Sequence, residues 1–229
     1  MPNFWSYIKN DRYAVGCTGQ TVYVYDDSDN ELARFRDMKY AYVPMFSPKF
    51  NIFIVKSTEG NLAVYSLETM RLLKKFRFSK FNAAQDDGFC FSKDGKYFYN
   101  IERHTDGVSV NACISTYETS AFGRIAPPFL SKTHEFSDIE YDDIHDRLFV
   151  LGFMREQSDV FGFAAVFNGD GLSNITTLTY EKYLYILGYR NLERMGFTQK
   201  AKKWSVLFSN GYDLEKLEHI KISDVINIL

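Results

Sequence analysis

The sequence predicts an all-β chain: a β-propeller of four-stranded antiparallel blades, five in number. Three observations carry this reading. First, residues 42–78 break into four short segments, 42–46, 52–57, 62–66 and 72–78, separated by Ser47-Pro48, Gly60-Asn61 and Glu68-Thr69. Alternating segments bounded by Pro, Gly, Asn and Ser are the signature of strands joined by hairpins, and four strands in roughly 40 residues make one blade. Second, aromatic residues are 17% of the chain, with 21 Phe and 16 Tyr, and large flat side chains favour sheets. Third, the pattern recurs along the chain as approximate blades 4–38, 39–80, 81–129, 130–181 and 182–229, which form one domain.

In chain order, the first repeat places strands at 4–8, 13–17, 21–25 and 31–35. Its acidic run Asp26-Asp27-Ser28-Asp29-Asn30 lacks the Gly and distal Glu of a calcium loop and reads as a solvated turn. The third repeat contains Phe89-Cys90-Phe91-Ser92-Lys93-Asp94-Gly95-Lys96-Tyr97-Phe98, in which Asp-Gly between two aromatic strands is a strong hairpin signal. Pro127-Pro128 then ends its fourth strand, because proline cannot donate to a ladder. The fourth repeat is longer and more acidic, and Asn168-Gly169-Asp170-Gly171 reads as a glycine-rich hairpin turn. In the fifth, 182–188 reads as an extra apolar strand within the crossing, 195–198 and 204–209 as the first two strands, and 212–222 as one long or two short strands. A short helix at 214–219 is the alternative there, and 220–229 would pair with the N-terminal strand to close the ring. Closure would leave no exposed edge; without it, free edges would allow a homodimer, so monomer and homodimer both stand.

Composition excludes several classes. A formal net charge of -2 provides no field to gather a polyanion, so nucleic acid is not an expected partner, and Lys200, Lys202 and Lys203 beside Trp204 read as a solvated turn. Cys17, Cys90 and Cys113 match neither zinc spacing nor a disulfide framework and read as buried thiols of a reducing compartment. The opening Met1-Pro2-Asn3-Phe4-Trp5-Ser6 shows no signal-peptide pattern, and no long apolar run occurs. No membrane association is expected, and the cytoplasm is the expected location. No phosphate-loop, dinucleotide or nucleophile-elbow motif is present, and His104, His134, His145 and His219 stand at no metal-ligand spacing. No cofactor and no metal are expected.

The segments Phe46-Ser47-Pro48 through Gly60-Asn61-Leu62-Ala63-Val64-Tyr65, and Phe91-Ser92-Lys93-Asp94-Gly95, resemble the WD40-like and YVTN-like propeller superfamily. The family's Trp-Asp ending of the third strand is replaced by Tyr25-Asp26, Tyr65-Ser66 and Tyr117-Glu118, and its opening Gly-His is missing. The resemblance implies a rigid platform for protein contacts.

Two functional readings follow. The first is a non-catalytic module that presents a propeller face or rim to a protein partner, for example a small bacterial regulatory or immunity-type protein. Its binding candidates are Tyr183, Tyr185, Tyr189 and Arg190, since tyrosine and arginine are enriched at interfaces. The second is a hydrolase of the five-bladed, glycoside-hydrolase-like type, with Asp86, Asp87, Asp138 and Glu140 converging at the mouth of a central channel. The chain is read as more consistent with the first, hence as not an enzyme.

Overall fold

The computed structural model describes residues 2–76, 88–105, 110–208 and 220–226. Four antiparallel sheets come first. Strands β1 (Ser6–Lys9), β2 (Tyr13–Cys17), β3 (Val22–Asp26) and β4 (Glu31–Phe35) form one sheet in chain order, and β5 (Ala41–Phe46), β6 (Ile52–Ser57), β7 (Leu62–Ser66) and β8 (Arg71–Phe76) form the second. The third contains β9 (Phe89–Phe91), β10 (Tyr97–Thr105), β11 (Val110–Glu118) and β12 (Gly123–Arg124), with β13 (Phe129–Leu130) also pairing to β11. Pro127-Pro128 lies between the two short edge pieces, which is why the outer strand is broken. The fourth contains β14 (His134–Asp142), β15 (Arg147–Glu156), β16 (Asp159–Phe167) and β17 (Leu172–Leu178).

Beyond β17 the chain is helical: α1 (Tyr180–Arg194), α2 (Gln199–Phe208) and a 3-10 turn at Ile222–Val225. This corrects the sequence reading. The chain is not all-β, the expected fifth blade at 182–229 is absent from the described residues, and the four sheets are open, none closing on itself. The closed five-bladed propeller, and with it membership of the WD40-like and YVTN-like superfamily, is therefore overturned. The misread segment has a physical explanation. Apolar density in 182–188 imitates a buried strand, yet Tyr183, Ile186, Leu187 and Arg190 recur at helical spacing and are all buried, and burial runs unbroken from Ile186 to Leu192. Thr179 starts the helix, its Oγ1 accepting from Lys182 N–H at 3.2 Å. Gly196, at φ 65°, stops it, with its N–H on Glu193 O. The residues expected as a strand at 195–198 form this turn, and Thr198 caps α2 by accepting from Ala201 N–H at 3.1 Å. Most of the expected strand at 212–222, and the alternative helix at 214–219, lie outside the described residues.

The chain divides into two compact units, Met1–Gln85 with Asn191–Leu214, and Asp86–Arg190 with Glu215–Leu229. In the first, the central strands β6 and β7 are buried along their whole length, and Phe53, Val55, Ala63 and Tyr65 pack with Val15, Val22 and Val24. In the second, β15 and β16 are buried on both faces. Leu148, Val150, Phe163, Ala165 and Phe167 face one core with Ile101, Ile114 and Phe136, whereas Phe149, Leu151, Ala164 and Val166 face a second core with Tyr183, Ile186, Leu187 and Ile222. The alternation follows from the strand period of two. It makes the fourth sheet the middle layer of the unit, and whatever β14 points at α1 is interior.

Candidate functional site

Strand β14 carries Asp138, Glu140 and Asp142 at alternate positions, so all three side chains leave one face of the sheet. Each is met by a specific partner. Arg190 of α1 donates from Nε to Asp138 Oδ2 at 2.9 Å and from Nη1 to Glu140 Oε1 at 3.1 Å. The other Glu140 oxygen accepts Ile222 N–H at 2.8 Å. Asp142 accepts from Ile144 N–H at 2.8 Å and lies 2.7 Å from His145 Nδ1. Beside them Ser137 Oγ and Tyr183 OH are 2.7 Å apart.

The residues of the two sequence-based site readings thus meet one another. Asp138 is fully buried, and Tyr183, Tyr189 and Arg190 are also buried, while Tyr185 is partly buried against the same core. The tyrosine–arginine segment is not a surface, because the helix that carries it lays this stripe on the sheet. Asp138 and Glu140 do not open at a channel mouth, because the Arg190 guanidinium occupies both. Asp86 and Asp87 lie outside the described residues. No group of three or more His, Cys, Asp or Glu that could hold a metal ion occurs among the described residues.

The arrangement with chemical reach lies elsewhere in this unit, where the third and fourth sheets adjoin. Arg103, Lys132, Thr133, Glu135, Phe153 and Arg155 line an open cavity of about 410 Å³. Arg103 comes from β10, and its Nη1 pairs with Glu135 of β14. Glu135 stands opposite Phe153 in the β14–β15 register, and Arg155 follows two residues on, its guanidinium 5.8 Å from the Phe153 ring centre. The approach to β14 is set by Ser131, whose Oγ accepts His134 N–H at 3.0 Å and lies 3.2 Å from His134 Nδ1. That turn presents Lys132 and Thr133 to the cavity. His134 itself packs edge-on to Phe163 at 4.8 Å, and burial holds its imidazole below the usual value.

Gly152 makes the close approach possible. A methyl group there would overlap the Glu135 carbonyl and come 2.7 Å from the Phe163 ring. A ladder irregularity between Phe136 and Asp138 changes the facing of the strand just after the cavity. As a result Glu135, opposite Phe153, leaves the same face of the sheet as Asp138, opposite Leu151, and Glu140, opposite Phe149. Glu135 lines the cavity at one end of that face, and Asp138 and Glu140 meet α1 and the C-terminal turn further along it. Three cations therefore face one carboxylate, and that carboxylate is already engaged by Arg103. Lys132 and Arg155 are exposed. Sequence reasoning missed this set because its members are scattered over β10, the β13–β14 connection and β15. The one local signal was the pair of cations flanking the fourth repeat's first two strands.

No helix among the described residues is long and apolar enough to cross a membrane. No protein-family model matches the chain, and no curated protein matches it. The fold does have likenesses: 691 solved chains match it, so an activity does not follow from the likeness alone. One of them, titled Kuenenia stuttgartiensis hydrazine synthase, matches with a TM-score of 0.58 at 14% identity, over 74% of this chain and 51% of that one. The chain spans about half the length of that structure, and at this identity the likeness is one of fold. It nevertheless corrects the sequence reading. The expectation of a non-catalytic interaction module rested on a propeller scaffold that is not there, and the fold that is there occurs in a chain named as a synthase.

Proposed function

We propose that this chain binds a small anionic molecule, one carrying a carboxylate or phosphate group, in the cavity lined by Arg103, Lys132, Thr133, Glu135, Phe153 and Arg155. The observation that carries the reading is the surplus of positive charge there: Arg103 is committed to Glu135, whereas Lys132 and Arg155 stand exposed at the cavity. Arginine offers a planar fork of donors to an oxyanion, and lysine a mobile point charge. Thr133 adds a hydroxyl and Phe153 an apolar wall, which is the usual mix of a small-ligand pocket. The volume admits a molecule of sugar-phosphate or tricarboxylate size.

Calorimetric titration with inorganic phosphate, citrate and glucose 6-phosphate tests this. At least one should bind, with affinity falling as salt rises, and Arg155→Gln and Lys132→Gln should each weaken it about ten-fold, as loss of a charge-assisted hydrogen bond does. Absence of binding by all three, or binding indifferent to both substitutions, overturns the proposal.

A second reading, hydrolysis of the bound anion, is supported by the carboxylate that stands among the cavity's cations. Glu135 is the carboxylate of the cavity and would act as its acid or base. A hydrolase screen over phosphate esters and acidic glycosides should then show turnover that Glu135→Gln abolishes. A protein partner, also expected from the sequence, would meet this chain elsewhere than at Tyr183, Tyr189 and Arg190, which are interior.

A further inference from the structure

A second cavity lies in the other unit and has a different character. Gln20, Thr21, Arg36, Met38, Lys39 and Tyr40 line a space of about 520 Å³, where the connection from β4 to β5 meets the turn between β2 and β3. The connection is held along its length. Asp37 accepts from Tyr65 OH at 3.2 Å, and its backbone carbonyl accepts from Lys75 Nζ. Met38 is buried in the core as the cavity floor. The Tyr40 carbonyl accepts from Thr58 N–H at 3.0 Å, and Ala41 N–H donates to Gly19 O at 3.0 Å.

Two consequences follow from this pinning. Asp37 is engaged by Tyr65 OH and does not line the cavity, whereas Arg36 and Lys39 do, so the charge offered to a ligand is positive. Tyr40 is held at φ 55° and is 55% exposed. An aromatic residue rarely adopts that backbone region, and retained strain of this kind is a pointer to function. An exposed tyrosine ring offers a stacking platform, and arginine with lysine at its side offers an oxyanion site.

We infer that this cavity binds a planar aromatic group carrying a phosphate, the chemistry of a mononucleotide, stacked on Tyr40 with its phosphate on Arg36 and Lys39. Gln20 and Thr21 supply polar edges for the intervening sugar. The site is independent of the anion cavity of the other unit.

Adenosine 5′-monophosphate is the probe, with ribose 5-phosphate as the same anion without the ring. Both are titrated by calorimetry into the full chain carrying Lys132→Gln and Arg155→Gln, which silences the other cavity. The nucleotide should bind about ten-fold tighter than ribose 5-phosphate, the gain of one stacked base. Tyr40→Asn should abolish that difference, and because asparagine tolerates positive φ it should leave the thermal midpoint unlowered. Arg36→Gln with Lys39→Gln should weaken both ligands at least ten-fold. Equal affinity for the two ligands, binding of neither, or an undiminished preference in Tyr40→Asn would overturn the inference.

Discussion

Arg190 and Asp138 form an ion pair at 2.9 Å between α1 and β14, with side chains only 9% and 0% exposed. The pair ties the helix that replaces a fifth sheet to the sheet it covers. Glu140 shares the same guanidinium at 3.1 Å and passes the connection on to the C-terminal turn through Ile222 N–H. Two carboxylates around one cation can both stay charged out of water only while the cation is present.

Replacing Arg190 by Met should therefore lower the unfolding free energy by about 3–5 kcal/mol, the usual result of leaving buried charge uncompensated. Replacing Asp138 and Glu140 by Leu in the same chain should recover much of that loss, since well-packed apolar substitutes for a buried ionic group are often neutral or better. Urea unfolding of the single and triple variants measures both. A single variant within about 1 kcal/mol of the parent would mean the carboxylates find water instead.

How much of this could be read from the sequence differs by region, for physical reasons. Strands such as Ile52–Ser57 and Leu62–Ser66 were legible because Gly60-Asn61 and Ser47-Pro48 punctuate them. The helix Tyr180–Arg194 was not, because its apolar stripe at Tyr183, Ile186 and Leu187 is interleaved with Leu184 and Tyr185, which are partly buried as well. That fills in the helical period until it resembles a strand. The acidic positions on β14 and the arginine on α1 were each noticed as unusual. Their meeting across 52 residues of chain depends on tertiary placement, which no local pattern encodes. The cations Arg103, Lys132 and Arg155 were invisible for the same reason.

Acid should loosen the C-terminal turn through Asp142. Burial pushes this carboxyl up, but hydrogen bonds from His145, from Ile144 N–H and from Ser223 outweigh burial and bring it down to about 2. A carboxyl whose folded value lies below its unfolded value contributes stability above roughly pH 4 and loses it as pH falls toward 2. The urea midpoint of the parent chain should therefore fall across that window more steeply than that of Asp142→Asn. Parallel pH profiles would show that Asp142 is not a source of the acid sensitivity.

The thiols should be silent in the folded state. Cys17, Cys90 and Cys113 are buried and form no disulfide, and burial pushes the Cys17 thiol up to about 12 despite a hydrogen bond with Ser6. Reaction with a thiol reagent needs the thiolate and access to it, and Cys17 lacks both. At pH 8, labelling followed by mass spectrometry should find Cys17 unmodified on the timescale in which denatured chain reacts completely. Rapid native labelling of Cys17 would mean that β2 opens locally.

Two glycines should respond oppositely to the same substitution. At Gly152 an added methyl group overlaps the Glu135 carbonyl and stands 2.7 Å from the Phe163 ring. One obstacle is backbone and the other a fully buried ring, so neither can yield cheaply. Gly152→Ala should cost about 1–3 kcal/mol, the range of overpacked cores. Because the strand it displaces carries Glu135, it should also weaken anion binding at the cavity beside Phe153. At Gly188, within α1, nothing lies within 4 Å of the added carbon, and a helix interior prefers alanine to glycine by about 0.5–1 kcal/mol. Gly188→Ala should thus stabilise the chain by up to that amount and leave ligand affinity unchanged. Chemical unfolding and calorimetry on both variants separate the cases. A Gly152→Ala chain that is as stable as its parent and binds as well would show that β14 can move away from β15 at no cost, and would remove the rigid support assigned here to Glu135.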